Sequence, residues 1–212
     1  MKGTPYKWLD VTKLCVQVLP GLSINRIRYF TAIVKGTPSD PHMAARQQTF
    51  IRALETLPNL SAHYGTFLES KTRMRLAFPP PGGPNTVEVI KMEEKGSDVN
   101  IATYMLVDAF RKDCDQLVVI TNDSDLAEPI RIINKEMGMP VGVFNPHTQS
   151  TADCKHRLSG RPGSAPKARP SVALRKVAKF FKDIEEPHLV AAQFPATLTD
   201  AAGRTIRKPT GW

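Results

Sequence analysis

The sequence is poor in cysteine and has no long apolar run, and each absence excludes a class of protein. Its 212 residues include only three cysteines, Cys15, Cys114 and Cys154. They are far apart and form no CxxC pair, so neither a disulfide framework nor a zinc site is expected. No apolar stretch reaches the roughly 18 residues of a membrane span, and the N-terminus lacks the apolar core of a signal peptide. These absences favour a cytoplasmic protein without a membrane partner.

The composition is otherwise that of a globular protein with a basic excess. Hydrophobic residues make up 41% and charged residues 23% of the chain, and the formal net charge is +9. Residues 1–150 contain 17 basic and 15 acidic residues, whereas residues 151–212 contain 12 basic and 5 acidic ones. A Gly-, Pro- and Arg-rich stretch, SGRPGSAPKARP, follows this border. We therefore predict a domain over 1–148, a flexible basic linker over 149–170, and a C-terminal helix and docking tail over 171–212.

The first half of the chain alternates helical and strand patterns. Apolar spacing predicts helices over residues 9–19 and 42–57, and runs of β-branched and aromatic residues predict strands over 24–34 and 60–68. Residues 69–91 form two strand-like arms around the tip PPPGGP, which predicts a long hairpin. Five basic side chains on and beside it could follow a phosphate backbone: Lys71, Arg73, Arg75, Lys91 and Lys95. A solvated edge hairpin, protected from edge pairing by its charge, is an equally good interpretation.

The second half predicts an α/β fold. Helices are expected over residues 97–112 and 124–137, and short apolar strands over 116–121 and 140–145. Strands and helices that alternate with short joints favour right-handed crossovers and a parallel sheet. In the tail, the spacing of apolar residues predicts a helix over 170–182. Residues 193–212 show no regular period, but their apolar anchors predict docking onto the domain.

Two acidic motifs occur where a predicted strand passes into a helix. EEKGSD ends at Asp98, and TNDSD contains Asp123 and Asp125. Since such junctions meet at the carboxyl edge of a parallel sheet, we expect the three aspartates to converge. Oxygen ligands without nearby His or Cys favour Mg²⁺ or Mn²⁺. Helix capping alone is the alternative for each motif.

A metal site at this edge would suit phosphodiester hydrolysis. A bound divalent cation lowers the pKa of water and neutralises phosphate charge. In this hypothesis Asp98, Asp123 and Asp125 are the catalytic metal ligands. Asn122 and Ser124 orient water or phosphate, and Glu94 is a supporting residue.

These stretches resemble a known family. EEKGSDVNIATYMLVDAF and VVITNDSDLAEPIRIINKEMGMPVGVFNP are similar to the NYN domain, a branch of the PIN-like metal-dependent ribonucleases. KGTPYKWLD, IRYFTAIV, RQQTFIRALET and QFPATLTDAAGRTIRKPTGW resemble its bacterial group. The resemblance implies a PIN-like three-layer sandwich with a central parallel sheet, here with a basic C-terminal extension. It also implies an Mg²⁺ or Mn²⁺ site at Asp98, Asp123 and Asp125, and RNA as partner.

The chain departs from that family at its start. NYN-like domains usually open with a buried strand that ends in an Asp-Gly-x-Asn-type motif and supplies another metal-binding aspartate. No residue before Ile24 fits either part, so we expect the first strand to be missing, through an internal start or through degeneration. Buried ladder groups left unpaired cost about 1–3 kcal/mol each. We therefore expect poor stability and weak activity unless something fills the gap.

Three functions remain open at the level of sequence. The first is a metal-dependent ribonuclease, and the second is a non-catalytic RNA-binding or regulatory module with an incomplete metal site. A phosphatase is the weakest, because no nucleophilic aspartate or phosphate-binding Gly-rich loop is visible. A homo-oligomer is compatible with each.

Overall fold

The computed structural model describes residues 5–146 and 170–211 as a mixed α/β structure. The helices are α1 (Val11–Val18), α2 (Met43–Leu54), α3 (Ser97–Arg111), α4 (Ala127–Lys135), α5 (Val172–Val177) and α6 (Glu186–Ala191), with a 3-10 turn at Ser124–Leu126. The strands are β1 (Ile27–Ala32), β2 (Leu60–Arg75), β3 (Thr86–Lys95), β4 (Leu117–Ile120), β5 (Val141–Asn145), β6 (Phe180–Asp183), β7 (Thr197–Thr199) and β8 (Thr205–Arg207). The predicted linker lies outside the described residues, except for Pro170.

The strands form two three-stranded sheets and a small hairpin, where a single central sheet was predicted. In the first sheet β1 pairs with β2 in parallel, and β2 pairs with β3 in antiparallel. In the second, β4, β5 and β6 are all parallel. β7 and β8 form the hairpin. The predicted parallel pairing is therefore present within each sheet, but no strand joins the two sheets among the residues described.

Two helices hold the sheets together from opposite faces. On one face, Met105 and Ala109 of α3 belong to the same apolar cluster as Val119 of β4. The ring of Tyr104, also on α3, lies 5.8 Å from that of Phe30 on β1. On the other face, Val11 of α1 contributes to two clusters, one around β5 and one around β1. Each helix thus bridges the boundary between the sheets, although the sheets share no ladder.

Among the described strands, β1 and β4 each have one unpaired edge, and both edges face this boundary. The Ile27 N–H donates to Asn59 and the Leu117 N–H to Pro140, so these amides point into the existing ladders. Because successive amides alternate in direction along a strand, those of Arg28 and Val118 point to the other edge. Residues 5–26 supply α1 and no strand.

The C-terminal segment packs into the same structure. Helix α5 ends at Val177, and Phe180–Asp183 forms β6 beside β5, so the predicted helix over 170–182 is wrong in its second half. The chain after β6 contacts the N-terminal region. Trp8 is fully buried there, and its indole Nε1–H donates to the carbonyl of Pro195 at 2.8 Å. The segment predicted to be irregular contains β7 and β8, which bury Ile206. Apolar anchors therefore dock the tail onto the domain.

Candidate acidic site

Four carboxylates share one region of negative potential. The pKa of Asp98 is raised above its ordinary value, first by partial loss of solvation and then by the charges of Asp123, Glu94 and Asp125. All four residues are exposed. The three predicted ligands, together with the predicted supporting Glu94, are therefore close enough to repel one another.

The carboxyl edge of the sheets brings these residues together, but partly by an unexpected route. Asp123 and Asp125 follow β4, as predicted for a parallel strand. Asp98 instead follows β3, which runs antiparallel to β2. Lys95 at the end of β3 lies opposite Thr66 of β2. The preceding residue of β2, Gly65, lies opposite Ala32 at the end of β1. The end of β3 therefore returns to the carboxyl end of β1.

Gly65 makes this close approach sterically possible. A Cβ at position 65 would lie 2.6 Å from both the Lys95 carbonyl oxygen and the Glu94 Oε1. Such distances require the backbone of β3 to move, since only one of the two atoms belongs to a side chain. Gly96 then enters α3 with φ +97°, a conformation that favours glycine. Sequence reasoning did not single out Gly65, although a glycine within a strand signals a close approach.

Some of the polar side chains also cap local structure, as the alternative interpretation expected. The Asp123 Oδ1 accepts from the Asp125 N–H at 2.9 Å, and the Glu94 Oε1 accepts from the Ser97 N–H at 3.2 Å. The Asn122 Oδ1 accepts from the Ser171 N–H at 2.8 Å, which joins the start of α5 to the site. The carboxylates of Asp98 and Asp125 accept no hydrogen bond within the described part of the chain. Capping therefore accounts for Asp123 but leaves Asp98 and Asp125 available.

The donor set fits a hard divalent cation in its chemistry but not in its spacing. Carboxylate oxygens are ligands that Mg²⁺ and Mn²⁺ accept, and mutual repulsion among them favours a cation. Yet within residues 5–146 and 170–211, no three His, Cys, Asp or Glu side chains form a group able to hold a metal ion. The predicted ligands are in electrostatic contact without forming a coordination shell.

The predicted nucleic-acid contacts lie on the long β2–β3 ribbon. Lys71, Arg73 and Arg75 are on β2, and Lys91 and Lys95 are on β3. Lys91 forms an ion pair with Glu93 at 2.5 Å, and Lys95 with the same residue at 3.6 Å. The ribbon extends outward from the edge that carries the acidic cluster.

The opposite edge holds a second polar feature that sequence reasoning missed. An open cavity of about 490 Å³ there is lined in part by Arg26, Arg28 and Arg111. Arg28 forms a two-point ion pair with the buried Asp108, at 2.6 Å and 2.8 Å. Arg26 is paired with Asp108 and Asp113. These pairs tie the end of α3 to β1, so a structural role accounts for them.

No helix in the parts of the chain described here has the length and apolar character to cross a membrane.

Comparison with known proteins gives a family. The family model for the NYN domain matches residues 23–157. Over 237 aligned positions the chain is 28% identical to 6-hydroxy-3-succinoylpyridine 3-monooxygenase HspA of Pseudomonas putida, covering all of this chain and 70% of that protein. Among solved structures, a protein of unknown function from Vibrio parahaemolyticus superposes with a TM-score of 0.46 at 15% identity, covering 84% of this chain and 80% of the other. By the match over residues 23–157, the chain belongs to the NYN domain family.

Proposed function

We propose that this protein hydrolyses RNA phosphodiester bonds at the acidic cluster. The observation that carries the proposal is the convergence of Asp98, Asp123, Glu94 and Asp125 in a chain with an NYN domain. These carboxylates come from the ends of two separate strands. Helix capping alone would not require the two strand ends to lie close together. Nuclease chemistry on RNA is the activity typical of that family.

We further propose that Mg²⁺ or Mn²⁺ is the cofactor. Asp98, Asp123 and Asp125 would hold it once their side chains come closer together than they lie in this structure. When bound, such an ion would neutralise charge on the phosphodiester. The chain's own contribution is a group of exposed carboxylates beside Asn122, which fixes the loop after β4 to the start of α5. Because the described side chains form no three-ligand group, no reaction step is assigned to the ion.

Cleavage of labelled single-stranded RNA with Mn²⁺ tests the proposal. Asp123→Asn should reduce cleavage at least about 100-fold, since removing one key electrostatic group typically costs that much. Asp115→Asn makes the same chemical change at an exposed aspartate outside the cluster and should leave the rate unchanged.

A second readout does not depend on activity. Mn²⁺ should raise the melting temperature of the wild type more than that of Asp123→Asn, because binding to the folded state stabilises it. RNA binding without cleavage in both proteins would favour a non-catalytic RNA-binding module. Equal cleavage by wild type and Asp123→Asn would contradict the assignment.

The similarity to HspA, which covers all of this chain and 70% of that protein, supports a second candidate, a monooxygenase acting on a hydroxylated pyridine. Incubation with 6-hydroxy-3-succinoylpyridine, oxygen and a reduced nicotinamide cofactor would test it. Substrate-dependent formation of a hydroxylated product, unaffected by Asp123→Asn, would favour this candidate over the nuclease.

A further inference from the structure

The β2–β3 ribbon separates its basic residues onto two faces. Residues directly opposite in the antiparallel register share a face, and successive residues alternate. Lys71, Arg73 and Arg75 therefore lie on one face, opposite Ile90, Glu88 and Thr86 respectively. Lys91 and Lys95, opposite Ser70 and Thr66, lie on the other. The five residues thus do not form one stripe.

The two sets also differ in their charge pairing. Lys91 and Lys95 both pair with Glu93, and together they lower the pKa of that carboxyl. Lys71, Arg73 and Arg75 form no ion pair within the described residues. The Arg73 Nε–H makes only a long contact of 3.4 Å to the Thr86 hydroxyl. Three acids share this face with these cations: Glu88, which is opposite Arg73, Glu69, which pairs with Lys35 at 3.8 Å, and Glu94, which is opposite Phe67.

The unpaired cations share their face with Glu94, one of the four residues of the acidic cluster. Glu94 lies opposite Phe67, four residues before Lys71 and on the same face. Alternate residues of a strand are about 6.6 Å apart, so Lys71, Arg73 and Arg75 lead away from the cluster over roughly 13–27 Å. Ile90 and Met92 lie on this face and are 64% and 41% exposed. Their apolar surface can contact unstacked bases, which a closed duplex keeps inside its helix.

We propose that this face of the ribbon, defined by Lys71, Arg73 and Arg75, binds the backbone of a single-stranded RNA segment that extends from the acidic cluster. The inference rests on the proposed action on RNA and names the form of RNA and the surface. The face with Lys91 and Lys95 takes no part, because both of these lysines already pair with Glu93. The alternative interpretation is that these cations only protect the edge of the ribbon from pairing with another strand. That role would not require Lys71, Arg73 and Arg75 to lie on the same face as Glu94.

Binding measurements on variants of the two faces test the proposal. The full chain carries Asp123→Asn throughout, so that cleavage does not interfere. Fluorescence anisotropy then measures Kd for a labelled 12-nucleotide unstructured RNA over a range of salt. The test variant is Lys71→Gln/Arg73→Gln/Arg75→Gln, and its matched control is Lys91→Gln/Lys95→Gln on the opposite face of the same ribbon.

The triple variant should bind at least about 10-fold more weakly, and its salt slope should fall by about 2, since each single-strand phosphate contact contributes about 0.7. The control should change Kd less than about 3-fold. Comparable thermal melts would show that both variants fold. Equal losses in the two variants, no loss in the triple variant, or tighter binding of a duplex would each overturn the proposal.

The outcome is independent of catalysis. If the triple variant alone loses binding while Asp123→Asn retains cleavage in the parent chain, the surface stands and the proposed active site fails. If Asp123→Asn abolishes cleavage and the triple variant binds normally, the nuclease stands and this surface fails.

Discussion

At the scale of single residues, Asp108 makes the most consequential polar contacts in the described structure. It is buried on α3, accepts two hydrogen bonds from Arg28 and one from Arg26, and so connects α3 to β1. The Arg28 guanidinium also lies 4.6 Å from the centre of the Tyr104 ring. Because α3 bridges the two sheets, this pair stabilises the boundary that has no backbone ladder.

Asp108→Asn should therefore destabilise the protein by about 2–3 kcal/mol at neutral pH, because it leaves a largely buried guanidinium without its counterion. Urea denaturation measures this loss. Asp113→Asn, at the exposed partner of Arg26, should cost under about 1 kcal/mol. Equal losses would show that Asp108 has no special role.

The same pair predicts a pH dependence. Hydrogen bonds from Arg28 lower the pKa of Asp108 below its ordinary value. A carboxyl with a lowered folded-state pKa stabilises the fold at any pH above the ordinary value of about 3.9 and loses that contribution as pH falls through the lowered pKa. The stability difference between wild type and Asp108→Asn should thus be constant near neutrality and shrink below about pH 4. A difference that grows in acid would contradict this assignment.

At the scale of elements, the sequence predicted the helices and strands that a local apolar pattern determines. The prediction failed for a strand that forms only because a neighbouring strand pairs with it. The apolar runs around Leu117 and Val141 became β4 and β5 almost as predicted, since continuous burial selects such residues. The spacing of Leu174, Val177 and Phe181 suits a helix, yet β6 begins at Phe180 because β5 offers it a free edge. Strand propensity depends on such partners, which local sequence does not reveal.

The candidate site shows the same limit. The motifs of Asp98 and Asp123 were correctly placed at strand ends, because an acidic turn after an apolar run is a local signal. The antiparallel pairing of β3 with β2 follows from the predicted hairpin around PPPGGP. That Gly65 allows the end of β3 to approach depends on a pairing between residues about 30 positions apart. The division of Lys71 and Lys91 between two faces depends on the register and was likewise invisible in the sequence.

The docking of β6 can be tested at one glycine. A Cβ at Gly142 would lie 2.0 Å from the ring of Phe180, its partner on β6. Gly142→Ala should destabilise the protein by about 1–3 kcal/mol through overpacking. Adding Phe180→Leu should recover part of the loss, because the smaller side chain leaves room for the methyl group. Additive losses in thermal denaturation would show that β6 does not pack on β5 in this way.

At the scale of the whole molecule, the open boundary between the sheets is the dominant feature. β5 has a partner strand on each side, whereas β1 and β4 each have a partner on one side only. Helices α1 and α3 cover both faces of the boundary, so an extended apolar segment there would find backbone partners at two edges and apolar contacts above and below. Parallel pairing is present on both sides of this boundary, between β1 and β2 and between β4 and β5.

Amide hydrogen exchange followed by NMR can detect the open edges. The amides of Leu117 and Thr121 point into the ladder with β5, and those of Val118 and Ile120 point away from it. Protection along β4 should therefore alternate, with at least about 100-fold faster exchange at Val118 and Ile120 than at Leu117, because only bonded amides require local opening to exchange. Along β1, Arg28 and Phe30 should likewise exchange faster than Ile27. Uniform protection along both strands would mean that a further strand closes the boundary, and the two sheets would then form the single central sheet that the sequence predicts.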